Sequence, residues 1–261
     1  MTTVLAFKDI TAGIRRWPDW LSLAWFDFVL PHRRAIVGPL WEMLYVAVWV
    51  AGLSIVFMAS ERGTTVSYVA YVACGVTFFG FISSVLTSSP SLFRRRANLI
   101  QNISLPMAFY VYRLIATSAI KLLFQLLVVL ATVMIFVGGF KFEALWAFPA
   151  FLLYLATAAW TALLLAIVGT RFGDTQFATT ALMRFLFFAS PVFWVPVEGT
   201  MRETLAAYNP LTYYIEIMRA PLLGQAPSLT AWGIVIAISA MGSIVTFLVF
   251  ARLRRLIPFW L

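Results

Sequence analysis

Charge is what this sequence has least of. Asp, Glu, Lys and Arg make up 11% of its 261 residues, against 62% hydrophobic ones. A soluble domain typically carries about 25% charge. That much apolar surface exceeds what one water-soluble core can hide, which leaves an integral membrane protein. Cysteine is nearly absent too. Cys74 stands alone in an apolar run, so no disulfide within the chain and no cysteine-based zinc cluster can form. The one histidine, His32, excludes His-rich metal and catalytic constellations. No Gly-x-x-x-x-Gly-Lys-Ser/Thr phosphate loop occurs, so no ATP hydrolysis is expected of the chain itself. Lys8, Asp9, Arg15, Arg16, Asp19 and Asp27 interrupt the first 30 residues, which therefore lack the apolar stretch of a cleavable signal peptide.

The charge that is present leans one way, with 19 Lys and Arg against 10 Asp and Glu. In a soluble protein that surplus would suggest nucleic acid. In a chain this apolar it is read as the basic residues that set membrane topology, and no nucleic-acid partner is expected.

The opening stretch at 5–30 interleaves Trp17, Trp20, Trp25, Phe26 and Phe28 with Arg15, Arg16, Asp19 and Asp27. It is too charged to span. Pro18 can open a helix, because its missing N–H costs nothing in the first turn. An aromatic amphipathic helix of this kind lies in the membrane interface; an ordinary packed helix is the plain alternative. The chain then turns at PHRRAIVGPLWEM, where Arg33, Arg34, Gly38 and Pro39 form an expected hinge into the first apolar segment.

A spanning helix needs about 20 mostly apolar residues. Six segments qualify, at 38–59, 67–90, 109–137, 144–168, 178–196 and 229–251. The expected fold is therefore an all-α integral membrane protein with six transmembrane helices. Residues 1–37 form an amphipathic cytoplasmic interface segment and 38–261 the transmembrane domain. With the N-terminus inside, twelve Lys and Arg fall on the cytoplasmic side, among them Lys8, Arg94, Arg95, Arg96 and Arg171. Only Arg62, Lys141, Arg202 and Arg219 fall opposite, beside five Glu. The bias predicts cytoplasmic termini. Between the last two segments, 197–228 is long and broken at Asn209-Pro210 and Pro221. Thr200–Tyr208 and Leu211–Leu222 read as short amphipathic helices, re-entrant in the outer leaflet or folded as an external loop.

Several strings resemble one family in collinear order across the whole chain: HRRAIVGPLW at 32–41, NLIQNISLPMAFYVYR at 98–113, RFGDTQ at 171–176, FLFFASPVFW at 185–194, NPLTYYIEIMRAPLLG at 209–224 and RLRRLIPFWL at 252–261. They are similar to the ABC-2 type permeases of bacterial polysaccharide exporters, most of all the O-antigen branch. The resemblance implies a homodimer in the inner membrane, embedded in lipid and paired with two copies of an ABC ATPase. ATP and Mg would be bound by that partner, with no cofactor in this chain. It implies a lipid-linked polysaccharide as cargo; capsule, teichoic acid or a small molecule carried by the same architecture are the alternatives. It places a coupling helix at 92–106, with Arg94, Arg95, Arg96, Asn98, Leu99 and Ile100 at the ATPase and Arg171 and Asp174 in a second contact. Asn209, Pro210, Tyr213 and Tyr214 would border the external mouth.

Sugar polymers are gripped by aromatic faces and scattered hydrogen bonds. Trp41, Tyr45 and Trp49 recur every four residues and share one helix face. Phe185, Phe187, Phe188, Phe193 and Trp194 surround Pro191 on the fifth segment, and Arg184 shares that helix directly before Phe185. The resemblance implies that segments one and five line the conduit, so these residues are the expected path; belts of interfacial aromatics are the plain alternative. Ionisable groups inside spans are functional candidates by default, and four occur: Glu42, Arg113, Lys121 and Arg184. For Glu42 and Arg113 snorkelling or a Glu–Arg pair that fixes helix packing is the expectation, and for Arg184 contact with a polar or phosphorylated part of the cargo. A membrane enzyme would need an acid–base set that these segments do not offer.

Overall fold

The computed structural model describes residues 2–58 and 67–261, with no strand among them. The end of the first expected span at Ala59, with Glu61 and Arg62, lies outside the described residues.

Two short helices come first, α1 (Thr2–Arg15) and α2 (Trp17–Val29). The break falls at Arg16, and Pro18 occupies the first turn of α2, where its ring is preorganised. α1 buries Ala6, Asp9 and Gly13, a stripe at helical spacing. Its neighbours are α6 (Met107–Phe136) and α11 (Leu229–Leu253), and α2 also packs on α6. Phe7, Trp17, Trp25 and Phe26 are left exposed.

Among the described residues, five helical stretches are long and apolar enough to cross a membrane: Gly38–Phe57, Tyr68–Ser91, Met107–Phe136, Phe142–Arg171 and Leu229–Leu253. Their α-helical parts are α3 (Trp41–Phe57), α4 (Tyr68–Ser88), α6, α7 (Ala147–Arg171) and α11. α4 is the hub. It packs on α3, α6, α7, α8 (Thr175–Ala189) and α10 (Pro210–Leu222), and the run Val72–Phe79 is buried without interruption. A helix apolar on every side seeks such a position.

The fifth apolar segment is more compact than its hydropathy suggests. α8 has 15 residues, about 22 Å at 1.5 Å per residue. It stops where Ser190 turns extended before Pro191, because a residue preceding proline avoids helical backbone. The remaining helices are α5 (Ala97–Asn102), α9 (Met201–Tyr208), the paired α10, and α12 (Ile257–Trp260). α9 and α10 fall where the Asn209-Pro210 break placed them.

Candidate functional site

α3, α4, α6 and α8 enclose a cavity of about 500 Å³. One wall is aromatic, with Tyr45 and Trp49 of α3, Phe79 of α4, and Phe187 and Phe188 of α8. Trp49 meets Phe187 edge-on at 5.9 Å, and Phe187 sits 5.4 Å from both Phe79 and Phe188. The rings continue out of the cavity through Phe193, 5.7 Å from Phe187, to Phe57 at 5.0 Å. The lining also carries hydroxyls: Ser83, Ser84 and Thr87 of α4, Ser118 of α6 and Thr180 of α8. Of the sequence-derived path residues, Tyr45, Trp49, Arg184 and Phe188 line this space. Phe193 and Trp194 are buried beyond it, and Trp41 and Phe185 face outward.

Three charged side chains share the lining. Glu42 accepts from Gln125 Nε2 at 3.0 Å and lies 3.5 Å from Lys121 Nζ. His32 Nε2 is 4.0 Å from the same carboxylate. The His32 Nδ1–H donates to the Phe28 carbonyl at 2.8 Å, because a carbonyl oxygen only accepts. Glu42 is thus in a packing network, with Lys121 and Gln125 as its partners where an arginine was expected. Arg184 lines the cavity and no described acidic side chain pairs with it.

At the far end, the non-helical corner after α8 is held by borrowed donors. Tyr71 Oη donates to the Trp194 carbonyl at 3.0 Å, Tyr68 Oη to that of Phe193, and Arg219 Nη2 to that of Val192 at 3.3 Å. The Arg219 guanidinium lies 3.7 Å over the Tyr71 ring. Gly75 makes this possible, since a Cβ there would collide with the Val192 backbone and with Arg219. Asn209 donates to the Ala189 carbonyl at 3.1 Å and to Ser190 Oγ at 2.8 Å. Its own side-chain oxygen caps α10 by accepting from Leu211 N–H at 3.0 Å, and Pro210 takes the first turn. Tyr213 Oη donates to the Ala207 carbonyl at 2.8 Å, whereas the Tyr214 hydroxyl is buried against Thr157 and Ser239, each at 3.2 Å.

The basic end presents a second, open cleft of about 360 Å³ lined by Arg94, Arg95, Gly173, Asp174 and Gln176. Arg94 Nη2 donates to the Gly173 carbonyl at 3.3 Å, which joins the two segments expected to contact a partner. Asn98 is exposed, and Leu99 and Ile100 pack on the core. Arg171 stacks on Trp260 of α12 at 5.8 Å and on Phe172 at 5.9 Å. Arg33 and Arg34 are exposed beside Gly38, whose φ of 59° is left-handed backbone that favours glycine.

Arg96 differs from its two neighbours. Its Nη2 donates to Asp27 Oδ2 at 2.9 Å. Arg113 donates to the same carboxylate from Nε at 2.7 Å and from Nη2 at 2.6 Å. Burial pushes the Asp27 carboxyl up, but the hydrogen bonds and charge of Arg113, joined by Arg96, outweigh it and hold the carboxyl below the ordinary aspartate range. A companion pin joins the two ends of the chain. Asp9 accepts from Arg254 Nε at 2.8 Å and from the Ala108 N–H at 3.0 Å. Neither Asp9 nor Asp27 stood out in the sequence as a network centre. For Asp9 the signal was its place in the stripe with Ala6 and Gly13.

A family model described as ABC-2 type transporter matches residues 19–223, from within α2 to just past α10. No curated protein matches the chain significantly.

Proposed function

Because the chain belongs to the ABC-2 type transporter family, we propose that it exports a lipid-linked polysaccharide as the permease half of an ATP-driven complex. In that complex two copies of the chain work with two copies of a separate ATPase, which binds ATP and Mg. The observation that carries this reading is the mixed lining of the large cavity. Its aromatic rings suit the C–H faces of sugars, and its hydroxyls suit their O–H groups. Many weak contacts of this sort hold a polymer without stalling it.

In this reading the sixth crossing is α8 together with the corner after it. The helix alone contributes about 22 Å, and non-helical backbone continues from its end at 190–194. The two together serve as one passage through a hydrocarbon layer about 30 Å thick. Non-helical backbone at membrane depth requires satisfied carbonyls, and Tyr68, Tyr71 and Arg219 supply them. Six crossings then put both termini on the basic face, which the positive-inside bias makes cytoplasmic in an inner membrane. On that face the cleft at Arg94, Arg95 and Asp174 is the docking surface for the ATPase. The α9–α10 pair is the outer, re-entrant element, with Asn209, Pro210, Tyr213 and Tyr214 at its turn, and α1–α2 the interface element. Gly38-Pro39 is the hinge between that interface element and the first crossing.

Mass analysis of lipid extracts from cells lacking this chain tests the reading. A lipid-linked glycan accumulating on the cytoplasmic side is the expected result, and its sugars distinguish O-antigen from capsule or teichoic acid. Retention of a small hydrophobic compound with no glycan would replace it with small-molecule export, for which a cavity of this volume is also large enough.

A further inference from the structure

We propose that Lys121 and Arg184 form an anion-binding subsite in the wall of the large cavity, taking a phosphate or carboxylate group carried by the transported molecule. This rests on the cavity being the substrate path.

The charges decide it. Two cations and one carboxylate line the space. The carboxylate, Glu42, is already committed: one oxygen takes Gln125, and the other faces Lys121 and His32. Nothing acidic among the described residues pairs with Arg184. Lys121 is engaged only in part, since its side chain is 38% exposed and its ammonium has three N–H donors. An ionisable group at membrane depth is expensive to keep and ordinarily pairs or marks a ligand path. Here the pair is missing and the path is present. The two cations come from different helices, α6 and α8, so an anion between them would relieve their repulsion and gain charge-assisted hydrogen bonds from both. The guanidinium offers a planar fork that suits phosphate and carboxylate alike. The hydroxyls of Ser84 and Ser118, 3.5 Å apart, add neutral donors on the same lining.

Two sources would supply such a group, the phosphate of a lipid anchor or the carboxylate of an acidic sugar. The test uses the permease–ATPase complex in phosphatidylcholine nanodiscs and compares two matched pairs of probes: farnesyl phosphate against farnesol, and an alkyl glucuronide against the alkyl glucoside of the same tail. At least one anionic probe should bind about tenfold more tightly than its neutral partner, the value of one charge-assisted hydrogen bond. That preference should fall with added salt. It should be lost in Arg184→Gln or Lys121→Gln and largely restored in Arg184→Lys. An unchanged thermal midpoint shows that the variants are folded. Preference for the phosphate alone assigns the lipid anchor, and preference for the glucuronide alone assigns the sugar. Equal binding of charged and neutral probes, or a preference that survives both glutamine variants, overturns the subsite and leaves the path standing. Failure of every probe to bind overturns both.

Discussion

Asp27 and Arg113, 86 residues apart in sequence, form a bidentate pair with donor–acceptor distances of 2.7 and 2.6 Å, and Arg96 adds a third bond to the same carboxylate at 2.9 Å. One side chain near the end of α2 thereby ties the basic turn before α5 to the first turns of α6. A displacement of that turn cannot occur without disturbing either α2 or the start of a membrane helix.

Removing the carboxylate charge leaves Arg113, whose side chain is only 11% exposed, without its counterion. Asp27→Asn should cost about 2 kcal/mol, below the range for a fully buried pair, read as a lowered midpoint of thermal unfolding in detergent. Arg96→Gln should cost less, since Arg96 is more exposed. Because both changes strike one network, the double variant should lose less than the sum by about 0.5 kcal/mol or more. Strict additivity would show that the three-way joint does not act as a unit.

The same carboxylate predicts a pH dependence. Its folded pKa lies below its unfolded one, so its contribution is fully present above the ordinary aspartate pKa of about 4. It is lost as pH falls through the lower, folded value. The gap in thermal midpoint between the parent and Asp27→Asn should therefore be constant from neutral pH down to about 5 and close at more acidic pH. A gap that widens on acidification would reverse the assigned sign.

Gly75 is where α4 admits the non-helical corner after α8. Gly75→Ala places a methyl against the Val192 backbone and Arg219, atoms with no flexible end to yield at the carbonyl. Overpacking of this kind costs about 1–3 kcal/mol. Export should fall with it, and a variant as stable and active as the parent would mean that the corner shifts freely.

Gly38→Ala meets no neighbouring atom, so its cost is backbone strain alone at φ 59°, about 1–2 kcal/mol for a left-handed non-glycine residue. Export activity should drop more than this modest loss of stability explains, because the turn sets the angle at which α3 leaves α2. Parental export would reduce Gly38 to a local turn residue.

Trp49 is exposed to the cavity and carries the edge contact to Phe187. Trp49→Ala should leave the thermal midpoint nearly unchanged while lowering export severalfold. A large stability loss with normal export per folded molecule would make it a packing residue instead.

Composition and spacing determined a good deal by themselves. Low charge and long apolar runs made the chain a membrane protein, and Pro18, Gly38 and Asn209-Pro210 marked the boundaries of α2, α3 and α10, because each restricts backbone angles locally. The residue types of the site were also legible: the four-residue spacing of Tyr45 and Trp49 put both on one face of α3. The ion-pair partners were not. Glu42 and Arg113 read as packing charges, but Gln125 lies 83 residues from Glu42 and Asp27 lies 86 from Arg113. No periodicity encodes a contact at that range. Nor did the apolar run at 178–196 disclose that its helix stops at Ala189, since the corner beyond it stands only because Tyr68, Tyr71 and Arg219 reach its carbonyls. Sequence sets what a residue prefers to bury or bend; tertiary packing alone chooses which distant donor meets which acceptor, and that choice placed Arg184 in the cavity with no acidic partner among the described residues.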